Sequence, residues 1–260
     1  MMKFGTLTAQ FRRWERPAQV ALLLALALMV LVLGIGAFGA DDLRQPALIG
    51  FFGLFIMMQI IIMWANRSMV TDFTRAQRRY LAEDFEGART LLENLRAADQ
   101  ADAQELTLLG NTYRQLGDVE SSEAILLEAL DKRPEHHFPL YGFGRTLLVS
   151  GRYAEAAQTI QQAVAAGAPP VVQVDLAEAH YRAGAVDEAR TVLETLEIAD
   201  EPPRRLLVAY LRHQLNAGNV PAHDLIEAGL PYWQATAGRF HHTQYGQDLL
   251  EDIRSMQALL

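Results

Sequence analysis

Two stretches near the N-terminus show no alternation of apolar and polar positions. Residues 18–40, AQVALLLALALMVLVLGIGAFGA, carry no charge, and Gln19 is their one strongly polar side chain. Residues 46–65, PALIGFFGLFIMMQIIIMWA, are also uncharged, with Gln59 as the polar exception. At about 1.5 Å per residue the first reaches about 34 Å as a helix, enough for a hydrocarbon core of about 30 Å. Backbone groups in lipid must pair within their own segment, which requires helices here. The short link Asp41-Asp42-Leu43-Arg44-Gln45 then predicts an antiparallel transmembrane hairpin.

Basic residues orient it. Lys3, Arg12, Arg13 and Arg16 precede the first stretch, and Arg67, Arg75, Arg78 and Arg79 follow the second. The link holds Arg44 alone, beside two aspartates. Such asymmetry places both outer flanks in the cytoplasm. The N-terminus and everything after Ala65 are therefore expected on the cytoplasmic side of an integral membrane protein. The preference for arginine and the alanine-leucine richness point to a bacterial inner membrane. Ala37-Phe38-Gly39 also allows a signal-peptide reading, although the apolar stretch exceeds the usual 7–15 residues. Phe4, Leu7, Phe11 and Trp14 recur at three- and four-residue steps and suggest an interfacial helix, with a frayed tail as the alternative. Gln59, Gly34, Gly50 and Gly53 are candidate contacts to another membrane protein, with hairpin packing as the alternative. The spans hold no row of ionisable groups, which disfavours an ion pathway.

Beyond residue 65 the pattern becomes amphipathic and repeats. Ala76, Gly110, Gly144 and Ala177 recur at steps of 34, 34 and 33. Nine residues after each come Phe85, Val119, Tyr153 and Val186, and three further on Ala88, Ser122, Ala156 and Ala189. Leu92, Leu126, Ile160 and Leu193 complete the set. Gly117, Gly151 and Gly184 stand where a tight turn is needed, and Glu83 takes that place in the first copy. Small residues facing each other on paired helices let the backbones approach. One such pair cannot bury its apolar face alone, so neighbours must stack.

This pattern resembles the tetratricopeptide repeat, a pair of antiparallel helices. The copy at 103–136 has Leu106, Leu109, Gly110, Tyr113, Gly117, Ser122, Leu126, Ala129 and Pro134 at the family's signature places. Leu106 stands for the frequent Trp, and Ser122 for the usual Ala. Further copies span about 69–102, 137–169 and 170–203. The resemblance implies an all-α fold: a two-helix transmembrane hairpin, then a tetratricopeptide-type α-solenoid with C-terminal capping helices. The expected divisions are 1–17, 18–65, 66–203 and 204–260. The resemblance also implies that first helices line a concave groove for a protein partner, as peptide or helix. Its groove places fall on Asn111, Arg114 and Gln115, on Phe138, Tyr141 and Arg145, and on Glu178, Tyr181 and Arg182.

After Pro203 the period fades. Residues 204–217 read as one more helix, and 221–237 as its partner, ended or kinked by Pro231. Thr243 is an N-cap candidate for a last helix with Leu249, Leu250, Ile253 and Met256 or Leu260 on one stripe. That helix is expected to cap the array, or to dock on a partner. Between Gly53 and Gly87 there is neither Gly nor Pro, which suggests a rigid junction between span and solenoid, with Asn66, Ser68 and Thr71-Asp72 as alternative caps that would break it.

Composition narrows the chemistry. The chain has 260 residues, no cysteine and a net charge of −8. Thiolate metal sites and cysteine nucleophiles are excluded. The acidic balance argues against nucleic acid as partner and leaves membrane lipid and protein. His136-His137 and His241-His242 are adjacent pairs, and His180, His213 and His223 lack carboxylates at ligand spacing. No phosphate-cradling glycine loop or nucleophile elbow appears. No cofactor, metal or catalytic residue is therefore expected, and the chain reads as a scaffold rather than an enzyme.

Overall fold

The computed structural model describes residues 16–67, 71–196 and 201–260. The interfacial helix expected around Phe4, Leu7, Phe11 and Trp14 lies outside them. So do residues 68–70, on which the rigid-junction expectation turns. The described residues form α-helices and a short 3-10 turn, with no strand among them.

The chain divides into two compact units, 1–71 and 72–260. In the first, α1 (Arg16–Phe38) and α2 (Arg44–Arg67) pack as an antiparallel hairpin about a turn at Asp41–Leu43. The two helices qualify by length and apolarity as membrane spans, with mean hydropathies of 2.9 and 2.3. Only 6% of each is buried. Leu23, Val30, Ile49, Phe52 and Met63 are all more than half exposed.

The second unit is a stack of helix pairs: α3 (Asp72–Leu81) with α4 (Phe85–Ala97), α5 (Ala103–Gln115) with α6 (Val119–Lys132), and α7 (His137–Val149) with α8 (Tyr153–Ala165). Then come α9 (Val172–Arg182) with α10 (Val186–Thr195), and α11 (Pro202–Gln214) with α12 (His223–Arg239). The last helix, α13, is Gln244–Gln257. The small residues of the repeat lie at the pair interfaces: Ala76, Ala88, Ser122, Ala156, Ala177 and Ala189 are 0% exposed. A Cβ on Gly110 would come within 2.5 Å of Leu126, and one on Gly144 within 2.5 Å of Ile160. The backbones thus approach where the spacing requires it. Gly117, Gly151 and Gly184 adopt φ of +84°, +79° and +75° to turn between helices. Glu83 and Asn216 hold the same place in the first and fifth pairs at +60° and +52°, without glycine's freedom.

Two differences from expectation concern the C-terminal region. Pro231 neither ends nor splits α12, which runs on to Arg239. Its missing N–H leaves the Glu227 carbonyl without the usual intrahelical donor. Helix α13 begins as expected, with the Thr243 side chain accepting from Gly246 N at 3.2 Å. Of its apolar stripe, Leu249 and Met256 are 2% and Ile253 5% exposed, while Leu250 is half-buried. It does not simply continue the stack: it folds back against α7.

Candidate functional site

Helix α13 packs on α7 and shares one core with α7, α9 and α11. Tyr245 and Leu249 of α13 join the same core as Leu147 of α7, Leu176 of α9 and Tyr210 of α11. The N-terminal pairs have a separate core around Leu92, Leu106, Leu109 and Ile125. The turn after α12 reaches further back. The Arg239 guanidinium donates to the Gln115 side chain and stands over the Phe85 ring, 5.7 Å from its centre. A Cβ on Gly117 would touch both Arg239 O and His242 at 3.6 Å.

Where α13 meets the repeats, charged and hydroxyl groups form a continuous chain. The Tyr141 hydroxyl donates to Asp175 at 2.5 Å, and Arg145 donates to the other oxygen of that carboxylate. Arg145 lies 3.9 Å from Glu178. Arg182 donates to Glu178 at 2.9 Å and to Asp252 of α13 at 3.0 Å. Its side chain is 3% exposed, and that of Glu178 0%. Tyr210 donates to the second Asp252 oxygen at 2.9 Å, and Tyr153 donates to Asp248. The Arg182 guanidinium also stacks over Tyr245, 4.9 Å from the ring centre.

Burial governs the electrostatics of this face. It works against the charges of Arg145 and Arg182, but the carboxylates outweigh it: Asp175 raises Arg145, and Glu178 raises Arg182. Asp252 is pushed up by burial, opposed by Arg182 and Tyr210. Tyr141, Tyr210 and Tyr245 are held protonated well above the usual phenol range, first by burial and then by neighbouring carboxylates. Arg114 is the exception among the arginines. Burial and the nearby Arg145 both lower its pKa. Its Nη2 donates to Asn111 at 3.2 Å, while Nη1 is buried without a hydrogen-bond partner. Glu178 Oε2, 3.9 Å from Arg145, and Tyr245 Oη are also buried without a hydrogen bond.

The groove residues named from the sequence, apart from the buried Arg114, thus fall into two groups. Tyr141, Arg145, Glu178 and Arg182 are brought together in one network, which the chain's own last helix completes. Arg182 and Glu178 are not presented to solvent. Asn111, Gln115, Phe138 and Tyr181 are half-buried on the same side of the stack. Phe138 lines a recess of about 290 Å³ with Gln104, Arg133, His136 and His137. The His136 imidazole accepts from Phe138 N at 3.2 Å, which makes it the N-cap of α7. Repeat places alone did not single out Asp175, Asp248, Asp252, Tyr153 or Tyr210. One signal was available: Asp248 and Asp252, four residues apart, flank the apolar stripe of α13 and so are fit to meet hydroxyl or guanidinium donors on the surface it covers.

In the hairpin, Gly50 and Gly36 serve its own packing. A Cβ on Gly50 would lie 3.7 Å from Val32, and one on Gly36 3.5 Å from Ala47. Gly34 and Gly53 have nothing within 4 Å. Gln59 is exposed, and its side chain makes no hydrogen bond among the described residues.

A tetratricopeptide repeat model matches residues 73–137 and 141–202. No curated protein matches the chain significantly. Among solved structures it is similar to a thermophilic tetratricopeptide repeat protein of Thermus thermophilus, at 16% identity and a TM-score of 0.51, over 72% of this chain and 97% of that one. It is also similar to MamA residues 41 to the end from Desulfovibrio magneticus RS-1, at 18% identity and a TM-score of 0.43, over 72% and 91% of the two chains. The matched segments coincide with four stacked helix pairs whose small residues meet at the spacing read from the sequence. The chain belongs to the tetratricopeptide repeat family.

Proposed function

We propose that this chain is a non-catalytic scaffold, anchored in a bacterial inner membrane by α1 and α2, that holds a protein segment against the inner face of its solenoid. The repeat fold supports a role in protein interaction. The observation that carries the anchor is the hairpin: two apolar helices, 22 and 21 residues long over the candidate spans, with 6% of each buried. In water that surface would cost about 25 cal/mol per Å² left exposed, whereas lipid accepts it. Basic residues on both outer flanks and one arginine in the link favour a cytoplasmic solenoid. Confinement to the bilayer raises the effective concentration of the solenoid near other membrane proteins. Assembly or regulation of a membrane complex is the role this arrangement serves.

The test is fractionation followed by partner recovery. The protein should stay with membranes after a high-salt wash and leave them in mild detergent. A partner recovered with the wild-type chain should be depleted with Phe138→Ala and Tyr181→Ala, which remove half-buried inner-face aromatics without emptying the ion network. Release by salt alone would refute the anchor. Undiminished recovery would refute the inner face as the partner site.

A second reading rests on the hairpin itself. Gly34 and Gly53 leave open space, and Gln59 lacks a hydrogen bond among the described residues. A side-chain amide in lipid gains from an interhelical partner. If the spans hold the main partner, Gln59→Leu releases it and the inner-face variants do not.

A further inference from the structure

Helix α13 occupies the inner face as a ligand helix would. Tyr245, Leu249, Ile253 and Met256 form its buried side, between 0% and 5% exposed. Asp248 and Asp252 form its polar edge and engage Tyr153, Tyr210 and Arg182 from three different helices. The fit is incomplete. Glu178 Oε2 and Tyr245 Oη are buried under α13 without a hydrogen bond, Glu178 Oε2 keeping only its 3.9 Å approach to Arg145, and Arg114 Nη1 also lacks a hydrogen bond. Each such atom forfeits hydrogen bonds it would make in water, so it weakens the seat. Helix α13 follows the repeats and is joined to α12 through the turn at Phe240, so it can leave without breaking the connection between any two repeats.

We propose that the inner face of α7, α9 and α11 is a helix-binding groove that α13 fills in cis, and that the partner segment it takes in exchange is an amphipathic helix with an aliphatic stripe bordered by two carboxylates four residues apart. This rests on the reading that the inner face holds the partner. The arginines presented there suit an acidic helix, although the chain beyond residue 65 carries a net charge of −10 and repels acidic surfaces generally. A partner that gives Glu178 a donor, or reaches Arg114 with an acceptor, makes the bonds α13 leaves unmade. Partner affinity is then reduced by the fraction of molecules in which α13 is seated.

The absence of cysteine permits a clean lock. Tyr153→Cys with Asp248→Cys, joined by a short bismaleimide, fixes α13 in place in the detergent-solubilised full chain. The probe is a fluorescent peptide of residues 243–260. It should bind the unlinked double variant at least about tenfold more tightly than the linked one, and Leu249→Ala in the full chain should tighten it by a similar factor. Replacing both aspartates of the peptide by asparagine should weaken binding. Equal affinity with and without the linker would overturn the proposal. So would the absence of saturable peptide binding to the unlinked chain, or to a Leu249→Ala chain that keeps its helical signal. If the peptide arms fail while Phe138→Ala still depletes the partner, α13 exchange is wrong and the inner-face reading survives. If both fail, that reading falls as well.

Discussion

Arg182 sits between Glu178 and Asp252 with almost no water to screen the three charges. Removing one member of such a set strands the others, at a cost of about 3–5 kcal/mol. Arg182→Ala should lower stability by that amount in denaturant unfolding. Arg182→Lys should recover only part of it, because one ammonium cannot reproduce the two-sided guanidinium contact. The sequence placed Arg182 and Glu178 on the inner face by repeat register alone. Their spacing of four also made them a pair within one helix, but it could not reveal the bond to an aspartate 70 residues further on, because that depends on where α13 folds. The opposite case is Glu83. The repeat marked it as standing in a glycine's place, and it adopts φ +60°. Glu83→Gly should therefore raise stability by up to about 1 kcal/mol, seen as a higher urea midpoint with an unchanged slope.

At the scale of elements, helix ends and stripes were legible because they are local. Asp84 and Asp118 cap α4 and α6 through bonds of 3.0 Å to Gly87 N and Ser121 N. Thr243 caps α13 in the same way, and Thr243→Ala should cost about 1 kcal/mol. Helix α12 shows where local reasoning left two outcomes open, and the helix does not end at Pro231. Pro231 was expected to end or kink the helix, yet Ile226, Leu230, Trp233 and Ala237 bury one face across it, and the Trp233 indole donates to Pro203 O at 2.9 Å. Packing of that face outweighs the one lost backbone bond. Pro231 is itself exposed, so Pro231→Ala should restore a donor to Glu227 O and stabilise the fold by roughly 1–3 kcal/mol, read as a higher midpoint of thermal unfolding.

At the scale of the whole molecule, the buried tyrosines share a pH response. Tyr141, Tyr153, Tyr210 and Tyr245 are all raised, by burial first and then by a hydrogen bond to, or the charge of, a nearby carboxylate; Tyr113, beside Glu93, is pushed up to about 12. The unfolded chain releases these protons near pH 10, while the folded one retains them. Their contribution is therefore intact below pH 10 and is lost as pH rises toward the folded values. A fully buried phenol such as Tyr245 costs about 1.4 kcal/mol per pH unit in that window. The urea midpoint should fall steeply between about pH 9.5 and 11, and less so in Tyr210→Phe. Division into two units also predicts that residues 72–260, expressed alone, keep a cooperative helical unfolding transition. Hydropathy and periodicity determined by themselves the apolar hairpin, the repeat spacing and the small residues at the pair interfaces, because these follow from neighbours three, four or 34 positions apart. The tertiary structure decided what lies in the groove. A stripe on a terminal helix records that something must cover it, but not which surface does. Here the matching tyrosines and arginine are drawn from helices as few as 42 and as many as 95 residues away.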